Sequence, residues 1–260
     1  MLDGLATTAL ALVAGAGVPD AIRLGVAMTA LQAGIGAVND LRDATTDAAG
    51  KPAKPIPSGL VPRRSAATVA VVAMAVGIGL SIPSGWGTVA IALAGLGVGL
   101  AYDLWLKGTA WSWLPFAVGI PLLPVYAWYG GTGSLPGAFS ILVPAAMASG
   151  AALAIGNARA DAERDTASGV ESIATVLGPR RAWTAQLAIL AGVGVVAIGS
   201  AAAAGATIGQ LALVGAAAVV PVVAAIASRE VTPGGRERAW EVQAVGIAGL
   251  GIAWLWVALA

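Results

Sequence analysis

Two copies of one polar pattern, Asn-x-x-x-Asp-x-x-x-Asp, occur in an otherwise apolar sequence. The chain contains only two asparagines, and each of them begins one copy. The copies comprise Asn39, Asp43 and Asp47, and Asn157, Asp161 and Asp165. On an α-helix, a spacing of four keeps three side chains on one face, within an arc of about 80°. Each copy therefore predicts a column of oxygen ligands along one helix face.

Carboxylate and amide oxygens are the ligands that a hard divalent cation prefers. Mg²⁺ is usually held by one or two carboxylates together with substrate phosphates and water. Two facing columns would repel each other unless a cation lay between them. Basic residues near the columns supply the complementary charge for an anion: Lys51, Lys54, Arg63, Arg64, Lys107 and Arg164. The interpretation that we favour is a carboxylate–Mg²⁺–diphosphate assembly held by Lys and Arg.

A third polar segment, residues 102–107, ends an apolar run. Lys107 could contact a phosphate there, and Tyr102 could contact a developing cation or the leaving group. The alternative is that both side chains only anchor a helix end at the membrane surface. For the two Asp columns the corresponding alternative is solvated surface charge, which the repeated spacing disfavours.

The composition indicates a membrane protein. Of the 260 residues, 58% are hydrophobic and only 10% are charged, whereas soluble domains carry roughly 25% charged residues. The sequence contains no Cys and no His, which excludes disulfides, thiolate metal sites, cysteine nucleophiles and histidine bases. Any chemistry must therefore depend on carboxylates, amides, hydroxyls, lysine and arginine.

Apolar runs long enough to cross a bilayer, about 17–25 residues each, recur along the chain. We predict an all-α, polytopic membrane protein with about nine transmembrane helices, forming a single domain over residues 1–260. The predicted spans are 2–18, 20–41, 65–84, 87–105, 113–130, 136–159, 181–203, 206–228 and 238–259.

The positions of the cations predict the orientation in the membrane. Of the 14 Lys and Arg residues, only Arg23 lies away from the breaks after predicted helices 2, 4, 6 and 8. By the positive-inside rule these breaks face the cytoplasm. The N-terminus is then cytoplasmic and the C-terminus outside. We expect a multi-pass protein of the plasma membrane, with both Asp columns and the active site towards the cytoplasm.

These residues resemble those of the UbiA-type intramembrane prenyltransferases. Residues 39–47 are similar to that family's first Asp-rich motif, and the Lys-Pro-Ala-Lys-Pro-Ile-Pro-Ser-Gly stretch behind them resembles its basic continuation. Residues 161–178 are similar to the second motif, and Tyr102 with Lys107 matches a Tyr-x-x-x-x-Lys element after the fourth helix. The resemblance covers essentially the whole chain.

The resemblance implies a helical bundle around a central cavity and Mg²⁺-dependent transfer of a prenyl group from an isoprenoid diphosphate to a lipophilic acceptor, such as a quinone precursor. We expect the metal ligands to be the two columns, Asn39, Asp43, Asp47, Asn157, Asp161 and Asp165. The expected diphosphate contacts are Lys51, Lys54, Lys107 and Arg164. The expected catalytic residues are Asp43, Asp161, Tyr102 and Lys107.

Two other functions are open on the sequence. A terpene cyclase on the same fold would close the prenyl cation on its own chain. A cation-coupled transporter would also carry intramembrane carboxylates, although it would place them near the bilayer midplane rather than at one edge. The expected partners are a prenyl diphosphate, a lipophilic acceptor and the bilayer, with no nucleic acid. The acceptor, the prenyl chain length and the oligomeric state are left open.

Overall fold

The computed structural model describes residues 2–229 and 231–259, so that Met1, Glu230 and Ala260 of the predicted domain 1–260 lie outside the described residues. Over this part of the chain the structure contains ten α-helices and no strand, which confirms the all-α prediction. The helices are α1 (Leu2–Val13), α2 (Val18–Gly50), α3 (Arg63–Ser81), α4 (Trp86–Ala101), α5 (Trp113–Thr132), α6 (Phe139–Ala167), α7 (Ile173–Leu177), α8 (Pro179–Ala203), α9 (Ile208–Ala227) and α10 (Pro233–Ala258).

All of these helices except the five-residue α7 correspond to the nine predicted spans. Among the described residues, seven helices are long and apolar enough to cross a membrane: α2, α3, α4, α6, α8, α9 and α10. Helix α1 has only 12 residues, fewer than a full crossing requires. Helix α5 has 20 residues, but its prolines, tryptophans and tyrosines lower its mean hydropathy. The predicted count of nine transmembrane helices is therefore approximate.

The outward faces of the long helices are apolar. Only 22% of the membrane-length segment of α3 is buried inside the protein. Its valines Val69, Val71 and Val72 are exposed. Exposed apolar faces of this extent are unfavourable in water, whereas contact with lipid accommodates them. The fold is therefore that of a multi-pass membrane protein.

The chain divides into two compact units. One comprises the residues up to Trp105 together with Leu122–Leu135, and the other comprises Leu106–Pro121 together with the residues from Pro136 onwards. Helix α5 contributes residues to both. The first column lies in the first unit and the second column in the second unit. The prediction that the whole chain acts as one domain stays a prediction.

In the first unit, α1 and α2 approach each other closely through two glycines. A Cβ atom on Gly25 would lie 2.7 Å from the backbone oxygen of Gly4, and one on Gly4 would lie 2.6 Å from the backbone oxygen of Gly25. Small residues permit this approach of two backbones in a membrane, where close packing replaces the hydrophobic effect as the attraction between helices. Helix α2, which carries the first column, is held in place partly by this contact.

We expect Gly25→Ala to destabilise the protein, because the added Cβ would force α1 and α2 apart. Overpacking of this kind typically costs about 1–3 kcal/mol. The midpoint of thermal unfolding in detergent should fall. Gly36→Ala is the matched control, since it lies on the same helix with open space around its Cβ position. Equal midpoints for the two variants would contradict the close-packing interpretation.

In the second unit, α6 packs against α8 and α10, and α8 packs against α9. Two tryptophans form hydrogen bonds between these helices through their indole nitrogens. Trp183 Nε1 donates to the backbone oxygen of Ala225, and Trp240 Nε1 donates to that of Leu153, each at 3.0 Å. The second column is thus carried by a helix that is packed on two sides.

Candidate active site

Helices α2 and α6 continue well beyond the ends predicted at residues 41 and 159. They end at Gly50 and Ala167, so each column lies on one unbroken helix. Hydropathy identifies only the apolar part of a helix, whereas its polar continuation has no such signal. Helix α6 ends where Gly169 adopts a positive φ of 68°. There the backbone amide of Val170 donates to the backbone oxygen of Asp165 at 2.8 Å. This hydrogen bond is that of a Schellman motif, which ends the helix.

The amide group of Asn39, at the top of the first column, is oriented by an aspartate. Asn39 Nδ2 donates to Asp103 Oδ1 at 2.7 Å, and the Asp103 side chain is buried. Because the amide nitrogen faces Asp103, the amide oxygen is directed away from it. Asp43, one turn further along, is half-buried. Asp103 was not among the predicted site residues, although its position beside Tyr102 at the end of an apolar helix could have identified it.

Lys54 neutralises the lower end of the first column. Its Nζ lies 2.7 Å from Asp47 Oδ2 and 3.2 Å from Asp40 Oδ1. The hydrogen bond to Asp47 is the main cause that raises the pKa of Lys54, assisted by Asp40 and opposed by partial desolvation. The ammonium group therefore stays charged throughout the neutral pH range. Lys54, expected as a diphosphate contact, is here the partner of two carboxylates.

Lys51 lies at the end of α2. Its side chain is exposed, and its backbone amide donates to the backbone oxygen of Asp47 at 2.6 Å. The prolines that follow prevent the helix from continuing. The backbone of Lys51 and the side chain of Lys54 therefore both contact Asp47.

The segment after α4 is unusual in its backbone. Residues Tyr102–Leu106 form a π-helical turn. Such turns are rare and are frequently found at functional sites. Tyr102 is half-buried, whereas Lys107, just beyond the turn, is exposed.

The second column, in the other unit, is half-buried along its length. Asn157, Asp161 and Asp165 all lie on α6. The carboxylate of Asp161 accepts a hydrogen bond from Arg164 Nη2, one turn along the same helix. Arg164 is exposed and, like Lys54, is paired with a carboxylate of a column rather than directed at an anion.

A buried arginine on the opposite face of α6 was missed by the sequence analysis. Arg159 is 6% exposed. Its Nη1 donates to Gln186 Oε1 at 2.7 Å and to Ser228 Oγ at 3.0 Å, while Nη2 donates to the Ser228 backbone oxygen at 3.1 Å. Gln186 Nε2 donates in turn to Gln243 Oε1 at 2.6 Å. At 100° per residue, Arg159 points about 160° away from Asp161. This network fixes the rotation of α6 about its axis.

Each column by itself offers few metal ligands. Within either unit, the described residues contain no group of three or more acidic side chains close enough to bind a metal ion together. A column supplies two carboxylates and one amide oxygen. That donor set fits Mg²⁺, which keeps several water or phosphate ligands, better than it fits Ca²⁺, which takes six to eight oxygens.

The sequence profile of the UbiA prenyltransferase family matches residues 4–258. The chain belongs to the UbiA prenyltransferase family. The match spans almost the whole sequence and confirms the resemblance inferred from the motifs. No curated protein sequence matches the chain significantly.

Solved structures of UbiA-type proteins share the fold. One, from work on digeranylgeranylglyceryl phosphate synthase in membranes, has a TM-score of 0.76 at 15% identity, covering 99% of this chain and 92% of that one. A UbiA homologue from Aeropyrum pernix K1 has a TM-score of 0.75 at 18% identity, covering 99% and 95%. A UbiA homologue from Archaeoglobus fulgidus bound to GPP and Mg²⁺ has a TM-score of 0.71 at 15% identity, covering 99% and 95%.

Proposed function

We propose that this protein transfers a prenyl group from an isoprenoid diphosphate to a lipophilic acceptor within the membrane, in a Mg²⁺-dependent reaction. The observation that carries the proposal is the repeated ligand column on α2 and α6, in a chain that belongs to the UbiA prenyltransferase family. The Archaeoglobus fulgidus homologue bound to GPP and Mg²⁺ supports the same donor and metal.

The metal would be held by the residues of both columns: Asn39, Asp43, Asp47, Asn157, Asp161 and Asp165. Oxygen donors at the spacing of one helical turn, without histidine or cysteine, are the set that a hard cation prefers. When bound, Mg²⁺ neutralises the charge that develops on the diphosphate leaving group. Asp103 would assist by holding the amide of Asn39 in one orientation.

The basic residues would exchange partners when the substrate binds. Lys54 and Arg164 neutralise Asp47 and Asp161 in this structure. With those carboxylates holding a divalent cation instead, the ammonium and guanidinium groups would be available to the diphosphate. Lys51 and Lys107, both exposed, would contact the same anion. The columns and their basic partners would thus act together as a clamp that stabilises the departing diphosphate electrostatically.

The allylic cation would form in surroundings that exclude water. The helices are rich in Ala, Gly, Val and Leu, which offer no nucleophile. The ring of Tyr102 could stabilise the developing positive charge through its π face. Exclusion of water protects the cation from hydrolysis until an acceptor captures it.

The protein would lie in the plasma membrane with the active site towards the cytoplasm. The clustering of Lys and Arg at one set of helix ends supports this orientation, with the N-terminus cytoplasmic and the C-terminus outside. Because the chain has no Cys, single cysteines can be labelled without background. Ser58→Cys should react with a membrane-impermeant maleimide only after permeabilisation, whereas Ser134→Cys should react in intact cells. The reverse pattern would contradict the orientation.

The proposed reaction can be tested by mass spectrometry of lipid products. Purified protein is incubated with prenyl diphosphates of several lengths, Mg²⁺ and a panel of quinone precursors, phenols and glycerol phosphates. We expect one prenylated acceptor and one equivalent of diphosphate, and no product in EDTA. A cyclic hydrocarbon formed without acceptor would instead identify a terpene cyclase. Ion uptake into liposomes without diphosphate release would identify a transporter.

Replacing Asp103 with Ala should lower the affinity for Mg²⁺ while the protein remains folded. Loss of an outer-shell partner commonly costs about 10–100-fold in metal affinity or activity, so the KM for Mg²⁺ should rise by about that factor. Asp103→Asn should have a smaller effect, because its amide oxygen can still accept from Asn39 Nδ2. Identical Mg²⁺ titrations for wild type and Asp103→Ala would refute this role.

A further inference from the structure

A recess lies at the junction of α8 and α9, where neither column contributes a residue. It has a volume of about 420 Å³ and is lined by Pro179, Arg180, Trp183, Thr184 and Arg229. Both helices are long and apolar enough to cross a membrane. The first turn of α8 and the segment after α9 form the recess, so it opens where those helices leave the apolar part of the protein.

The guanidinium group of Arg229 is held in place by an aromatic ring. It lies 4.9 Å from the centroid of the Trp183 ring, within the range of a cation–π contact. The ring itself is fixed, because Trp183 Nε1 donates to the backbone oxygen of Ala225. A guanidinium fork that is already positioned loses less conformational freedom when it binds an anion.

The described residues that line the recess include two cations, Arg180 and Arg229, and no acidic residue. The first turn of α8 contains Arg180 but no acidic residue, and it has no side-chain N-cap. The amino end of a helix carries a partial positive charge, so a cation is disfavoured there, whereas the carboxyl end of α9 favours Arg229. The dipole of α9 therefore favours Arg229, whereas an anion bound in the recess would offset the unfavourable position of Arg180 at the amino end of α8.

We infer that this recess binds the phosphate of an anionic phospholipid headgroup. Arg180 and Arg229 would contact the phosphate oxygens, and the backbone amides of the first turn of α8 would add donors. The Trp183 ring suits a membrane–water interface, where one side of the indole is apolar and the other polar. Basic pockets between transmembrane helices are a recurrent binding mode for anionic headgroups.

The volume agrees with a headgroup better than with a bare ion. A recess of about 420 Å³ is larger than a bare ion needs and leaves room for a glycerol unit beside the phosphate. The acyl chains would lie along the exposed apolar faces of α8 and α9, which include Val195 and Val219. Binding would thus combine a fixed cationic site with ordinary lipid contact.

The inference can be tested by native mass spectrometry of the full-length protein in detergent. Wild type should retain phosphatidylglycerol but not phosphatidylcholine. Arg180→Ala and Arg229→Ala should each weaken that binding by about 10-fold, since each removes a charge-assisted contact. Arg181→Ala is the matched control, because it removes the same charge from the same exposed turn but does not line the recess.

The outcomes are distinguishable from those of the transfer reaction, since lipid binding is measured without substrate or Mg²⁺. Equal phosphatidylglycerol retention by all three variants would overturn the inference. Displacement of the lipid by millimolar inorganic phosphate would show a site for soluble phosphate instead and would also overturn it. Thermal midpoints measured without lipid establish that each variant is folded.

Discussion

Replacing Asp161 with Ala is expected to reduce prenyl diphosphate turnover by about 1000-fold, because a metal ion contributes several kcal/mol to transition-state stabilisation and each 1.36 kcal/mol is a factor of ten. The same loss is expected for Asp43→Ala in the other column. Both residues occupy the middle position of their column and are half-buried. Diphosphate release, measured with an enzyme-coupled assay over a range of Mg²⁺ concentrations, would give the rates.

Glu163 provides a matched control for Asp161. It lies two residues away on α6, is exposed, and its carboxylate pairs with Arg236 rather than with the column. Glu163→Gln should retain most of the activity, which would show that the loss depends on position rather than on one missing negative charge. Near-normal turnover by Asp161→Ala at saturating Mg²⁺ would remove the second column from the metal site.

The second large effect is expected from Arg159→Met, which keeps the length of the apolar stem but removes the guanidinium group. Gln186 and Ser228 would lose their donor inside the protein, and an unsatisfied buried polar group costs about 1–3 kcal/mol. We therefore expect a clear decrease in the thermal midpoint in detergent. Because the network sets the rotation of α6, the KM for Mg²⁺ should also rise, since Asp161 would no longer be held at one angle.

Arg159→Lys separates the two consequences of that change. A lysine can donate to either Gln186 or Ser228, so both the midpoint and the KM for Mg²⁺ should be intermediate. Arg238→Met is the control, since Arg238 is exposed on α10 and its loss should change neither quantity. A destabilised Arg159→Met variant with the wild-type KM for Mg²⁺ would show that Arg159 supports the fold without positioning the column.

Much of the fold follows from local properties of the sequence. Hydropathy located the long apolar helices, and the four-residue spacing predicted that each Asp column shares one helix face. Helix α1 was too long in the prediction, since the span 2–18 continues past Val13 into the turn that precedes α2. Hydropathy does not register the positive φ of Gly15 in that turn.

The side-chain partners could not be predicted in the same way. Asn39 contacts Asp103, 64 residues away, and Arg159 contacts Gln186 and Ser228, 27 and 69 residues away. Such pairs depend on which helices become neighbours, and this is not encoded in the spacing within one helix. Lys54 and Arg164 were predicted to contact an anion, whereas in the structure each pairs with a carboxylate of a column.

We propose that both columns are required to bind a prenyl diphosphate together with Mg²⁺. The most direct test is calorimetric titration of the purified protein with geranyl S-thiolodiphosphate, an analogue whose bridging sulfur resists cleavage. We predict tight binding by wild type with Mg²⁺, no binding in EDTA, and strongly weakened binding by Asp43→Ala and by Asp161→Ala. Mg²⁺-independent binding, or unchanged affinity in either variant, would contradict the account.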